Sequence, residues 1–343
     1  MKKILTLLVS CSAFLLSEAN VITVSNNVNS PGQYTDLQTA INSAVSGDTI
    51  YVHGSPVSYG NVSVSKRLTF IGTGHNPNKA IPSVSEVGIL QLDSVPGTSG
   101  ASGTKIIGFK LTSVFGYTGS GGTKNVLINR NYIISTGSQV YITGSGWVIE
   151  HNIFGKSVNV NNNSNTFINN NIFTGSYSGV VYSDKSTVNI INNIFFGAIP
   201  SSPFSNIANA NIANNIFSGA SPKGPLVDNN IFSNNITYQT NYDTIPYGTN
   251  LGSGNFVAKN PDFVNVPVKA FNYSYNFSLA LTSVGINAGT DGKDVGIYGG
   301  SSPFPGDLTG SPAIPQVKSL TVLNPVIPVG DSLKVVIKAK KQN

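Results

Sequence analysis

Cysteine is almost missing from this chain: 343 residues include one, Cys11. It lies inside the leader described below, so the portion after the leader has no thiol with which a disulfide or a thiolate metal site could organise the fold. Charge is scarce too, with Asp, Glu, Lys and Arg making up 10% of the residues. Arg67 and Arg130 are the only arginines, and the lysines are scattered except for Lys334, Lys338, Lys340 and Lys341 near the end. Nucleic-acid binding calls for a clustered basic face with interleaved aromatics, a pattern this sequence does not have. After Ala19 no apolar stretch reaches membrane-spanning length. Asn, Ser, Gly and Thr are plentiful, which suits a secreted β-rich surface.

The first residues read as a secretory signal peptide. Met1-Lys2-Lys3 supplies the charged start, Ile4 to Leu16 the apolar segment, and Ser17-Glu18-Ala19 a small-x-small cleavage site after Ala19. Leu8-Val9-Ser10-Cys11 superficially resembles a lipid-attachment site. Cys11 sits very early, however, and six mostly apolar residues follow it, so lipidation is disfavoured. The expected location is secreted or cell-surface, with a mature net charge of +5 once Lys2, Lys3 and Glu18 are removed.

What dominates the remainder is a repeat. Six copies of one phrase, an aliphatic residue followed by Asn, Ile and usually Phe, place asparagines at Asn131, Asn152, Asn171, Asn193, Asn215 and Asn230. The steps are 21, 19, 22, 22 and 15 residues. A period near twenty carried by short β-type phrases is the mark of a solenoid with one coil per repeat. Aligned on the asparagine, Ile128, Ile149, Ile168, Ile190, Ile212 and Val227 form one column. Ile133, Phe154, Phe173, Phe195, Phe217 and Phe232 form another. Buried residues of this kind contribute roughly 1.5–3 kcal/mol each, enough for a core without internal helices.

The asparagines are expected to turn the chain through the left-handed region, which Asn tolerates better than other non-glycine residues, and to form a side-chain amide ladder. A sugar-binding row of surface asparagines is the weaker reading. The next column, Ile153, Ile172, Ile194, Ile216 and Ile231, has two possible placements. Strict alternation sends it outward as an apolar stripe needing a partner or a covering loop. If the turn resets the alternation, both residues are shielded, and this second placement is favoured.

At the N-terminal end, Thr35-Asp36-Leu37-Gln38 fits a helix capping box, with Leu37, Ile41, Ala44 and Val45 on one face and Gly47 as the stop. Residues 34–60, then 66–74, resemble the start of right-handed parallel β-helix proteins of the pectin-lyase-like superfamily. In these a short amphipathic helix caps the first coil and a Gly-Asp-Thr-Ile phrase begins it. The resemblance continues through Ile106-Ile107-Gly108-Phe109 and the repeats to residues 283–300. It implies an all-β fold, a right-handed parallel β-helix with a short N-terminal capping helix, and leaves the activity open. The expected organisation is a signal peptide (1–19), a β-helix domain (20–300), a Pro/Gly/Ser linker (301–316) and a β-hairpin-like tail (317–343). In the tail Leu320 and Val322, then Leu333, Val335, Ile337 and Ala339, alternate around Val329-Gly330-Asp331. The tail either caps the last coil or serves as a secretion or surface address; it is similar to lysine-ending tails on secreted proteins of Bacteroidetes-type bacteria.

Lyase chemistry of that superfamily would require Ca²⁺ held by carboxylates from neighbouring coils, with an Arg or Lys base. Hydrolysis would require closely placed aspartates. The acids across the repeats are Glu150, Asp184 and Asp228, preceded by Asp93, and no Asp-Asp pair occurs. Glu150 and Asp228 align in one column but three coils intervene. The best constellation is Arg130, Glu150 and His151, weighed against a plain surface ion pair. The leading expectation is a monomeric, non-catalytic structural or glycan-binding module with no cofactor. The alternatives are a polysaccharide lyase or glycoside hydrolase, with Ca²⁺ only in the lyase case and a site built by loops 95–104, 116–124 and 174–187, or an adhesin using the isoleucine stripe.

Overall fold

The structure, a computed structural model, describes residues 19–78, 83–116, 122–134, 140–161, 165–174, 180–183, 187–197, 202–306, 308–312, 314–324 and 326–340. Nearly all of the leader, Cys11 included, lies outside the described residues, as does Asp184.

One coil shows the plan: Val148–Glu150, then Ile153–Phe154, then Val158–Val160, after which Thr166–Asn169 opens the next. Stacked coils form a ten-stranded parallel sheet running from Val21–Val24 to Ile231–Ser233, the first face. A 14-stranded sheet supplies the other two. Its panels join because the long strand Lys110–Gly116 pairs with Tyr132–Ile133 at one end and Val140–Ile142 at the other. The second face thus contains Ile153–Phe154 and its stacked equivalents, and the third contains Val158–Val160 and its equivalents. This is a right-handed parallel β-helix. Ile128, Ile149, Ile168, Ile190 and Ile212 share one inward register and are fully buried. Phe154, Phe173, Phe195 and Phe217 stack with centroids 4.8 to 5.0 Å apart.

The corner between the first two faces divides its labour between two residues. The left-handed residue is the one before the ladder asparagine: Arg130 (φ 57°), His151 (58°), Asn170 (52°), Asn192 (59°), Asn214 (57°) and Asn234 (53°). The following asparagine does not turn the chain, contrary to expectation, because its amide must lie inside the corner along the solenoid axis. Asn152 Oδ1 accepts from Asn131 N at 2.9 Å and from Asn131 Nδ2 at 3.1 Å. The same paired contact repeats through Asn171, Asn193, Asn215, Asn235 and Asn255.

The sixth copy of the phrase is therefore out of register. Asn235, twenty residues after Asn215, continues the ladder. Asn230 lies at another corner, where it accepts from Ala210 N and donates to Asn250 Oδ1 to start a second ladder. Phe232, not Val227, follows Ile212 on the first face, and Val227 pairs with Ile207 on the third. The 15-residue step was the sign of this shift.

The helix spans Leu37–Ser43 and buries Leu37, Ala40 and Ile41. Its N-cap is Asp36 rather than Thr35: Asp36 Oδ1 accepts from Thr39 N and Thr39 Oγ1, both at 2.7 Å. A carboxylate is the stronger acceptor at a helix start, and the Thr39 contacts hold its pKa below the usual carboxylate value. Ala44 ends the helix before Gly47, leaving Val45 exposed. Gln38 takes on a different task described below.

The isoleucine stripe does point outward, and the chain's own C-terminal segment covers it. Ile153, Ile172, Ile194, Ile216 and Ile236 are fully buried in a second core with Phe196, Phe277, Val295, Ile297, Phe304 and Leu308. Ile231, half exposed, belongs to the first face instead. From Ala288 to Ser311 the covering strap runs back along the corner column. Asn234 Nδ2 donates to Ala288 O, Asn214 bonds Thr290, and Asn170 Nδ2 donates to Ile297 O and Gly299 O. Gly296 (φ 93°) is needed here: a Cβ would lie 2.7 Å from Ile216 Cδ1. The stretch 301–316, read from composition as a linker, is packed at Phe304, Leu308, Ser311 and Pro312. Beyond it, Gln316–Val322 and Val335–Lys340 form a separate antiparallel pair.

Candidate functional site

Arg130, Glu150 and His151 do come together at the corner, on two adjacent coils. Their side chains act on the strap and on each other's neighbours. Arg130 Nη1 donates to Ser311 O at 2.7 Å. His151 Nε2 lies 2.8 Å from Ser302 O, so that nitrogen carries a proton. Asn129 Nδ2 lies 3.2 Å from His151 Nδ1 and also donates to Glu150 Oε1 at 2.9 Å. A neutral imidazole satisfies both ring contacts, and Phe304 packs against it in a T-shaped arrangement with centroids 5.9 Å apart. Burial pushes the His151 pKa below the ordinary histidine value. The Ser302 carbonyl and the Glu150 carboxylate pull the other way, and Arg130 adds to the lowering. The imidazole is 6% exposed and is enclosed by the strap.

The other candidate acids are dispersed. Asp228 sits on the third face, opposite Ala208, so it does not share a column with Glu150; it is exposed and accepts from Thr249 Oγ1. Asp93 accepts from Gln91 Nε2 at 2.7 Å. Among the described residues no group of three His, Cys, Asp or Glu side chains is placed to hold a metal ion. Of the three loops, 95–104 folds back on its own coil through Ala101 N to Asp93 O, and parts of the other two, 117–121, 175–179 and 184–186, lie outside the described residues.

A different row stands open on the third face, one that sequence reasoning missed. Ser63, Gln91, Phe115 and Tyr141 occupy successive positions of one outward register. The Phe115 and Tyr141 rings stack with centroids 5.0 Å apart and planes 14° from parallel. A cleft of about 180 Å³, lined by Gln38, Asn61, Val62, Ser63, Ile89 and Gln91, adjoins them. Uneven spacings of 28, 24 and 26 residues separate the four positions. No periodicity could bring them together in the sequence.

Fold and sites together define a parallel β-helix protein with a strapped second face and a third face that carries an uncharged outward row. No protein-family model matches the chain, and no curated protein matches it. Among solved structures it is similar to pectate lyase Pel9A, at 15% identity and a TM-score of 0.44, covering 86% of this chain and 96% of that one. A likeness this distant gives no residue of this chain a role.

Proposed function

We propose that this chain is an extracellular, non-catalytic β-helix module that binds glycan. The observation behind this reading is the state of the one candidate catalytic group: Arg130 and His151 each hold a main-chain carbonyl of the strap. Both do the work that asparagines do elsewhere in the same column. An outward stripe used as an adhesive surface is not part of this reading, because its isoleucines are covered. Among the described residues no helix is long and apolar enough to cross a membrane. Incubation with neutral and acidic polysaccharides tests the proposal. Binding without product supports it. New unsaturated or reducing ends, lost on Glu150→Gln, contradict it.

A further inference from the structure

The outward row of the third face has the chemistry of a carbohydrate subsite, and its ligand class follows from what the row offers. Asn61 Oδ1 accepts from Ile89 N, and Gln91 Nε2 is taken by Asp93. Among the described residues Asn61 Nδ2, Ser63 Oγ and Gln91 Oε1 make no hydrogen bond, which leaves an amide donor, a hydroxyl and an amide acceptor around one cleft. Next along the axis come Phe115 and Tyr141, both half-buried. The two rings, nearly parallel with centroids 5.0 Å apart, stack along the axis into one apolar ledge on the outward side of the sheet. Strand spacing places the four side chains along roughly 14 Å of axis, the length of a short run of pyranose rings.

Two features decide the ligand class. No basic side chain lines the cleft, and the Asp93 carboxylate lies beside Gln91. Lys66, three residues past Ser63, is held by Asn42 O and Ala44 O, and Lys110, at the far end of the strand that carries Phe115, is matched by Glu86 at 2.8 Å. A polyanion would find repulsion without compensation, whereas neutral hydroxyls and the C–H faces of a sugar suit the amides and the ledge. A peptide would require a free strand edge or a deep apolar pocket. The strands bearing Gln91 and Phe115 are paired on both sides. The edge strand of this row, Val62–Val64, is closed at Ser63 by the Gln38 amide, whose Nε2 donates to Ser63 O at 3.1 Å while Oε1 accepts from Ser63 N at 2.8 Å.

We infer that Asn61, Ser63, Gln91, Phe115 and Tyr141 bind an uncharged, linear glycan lying along the solenoid axis. This inference rests on the glycan-binding reading above and names its site and ligand class. Calorimetric titration of the full chain with neutral hexasaccharides of glucan, xylan, mannan and galactan, and with hexagalacturonate, is the test. The expected result is binding of at least one neutral hexasaccharide and none of hexagalacturonate. Gln91→Ala and Tyr141→Ala should each weaken that binding at least tenfold with the melting temperature unchanged, and Tyr141→Phe should retain it. Neutral binding indifferent to Gln91→Ala and Tyr141→Ala would overturn this site while leaving glycan binding intact. Tightest binding by hexagalacturonate would overturn the ligand class. Binding of an extended peptide at these residues, with no oligosaccharide bound, would overturn both the site and the glycan reading, as would binding of no oligosaccharide at all.

Discussion

Each corner between the first and second faces takes two consecutive residues with opposite duties. The first adopts a left-handed conformation and aims its side chain outward; the second aims its amide along the axis. Replacing Asn193 by Ala removes the acceptor for both Asn171 N and Asn171 Nδ2 in a buried setting. The cost should be about 2–4 kcal/mol, read as a lowered melting temperature. Asn235→Ala should cost a similar amount, because Asn235 serves Asn215 in the same way. His151 has a distinct signature. Its pKa is lowered in the fold, so the unfolded chain takes up a proton first as pH falls. Its contribution is complete above the ordinary histidine value, about pH 6.5, and is lost as pH drops below that toward the folded value. His151→Asn restores the residue type found at 170, 192 and 214 and should flatten that part of the melting-temperature profile.

Among the elements, the strap and the outward isoleucines form a second core that depends on distant parts of the chain. Ile194 faces away from the solenoid interior yet is fully buried. Ile194→Ala should therefore cost about 2–5 kcal/mol, as in a true core. Ile231→Ala, at a half-exposed position of similar local sequence, should fall within about 0.5 kcal/mol. Chemical denaturation of the two variants separates the cases. The coils were legible in the sequence because stacking repeats one residue type at one period, as with Ile149, Ile168 and Ile190. The strap was not. Its segment has no periodicity, and its contacts join residues as far apart as Arg130 and Ser311. The stripe could thus be seen from alternation, but its cover could not. Asn230 lies elsewhere for a related reason: similar phrases suit two different corners, and in the sequence the short 15-residue step alone marks the change.

For the whole molecule, the three faces have different fates. The second is closed by the strap, the first is one continuous ten-stranded sheet, and the third carries the uncharged row beside the helix. Arg130 and His151, the most reactive-looking pair in the repeats, contribute to closing the second face. That assignment is the centre of the account, and hydrogen exchange across residues 297–304 tests it most directly. In His151→Ala the strap has lost its bond to Ser302 and the packing of Phe304 on the ring. Amides in this stretch, including Phe304 N, which bonds Ile297 O, should exchange faster than in the parent protein. The ladder amides Asn171 N and Asn193 N should stay protected. Unchanged exchange across 297–304 would mean that His151 does not hold the strap and would contradict the account.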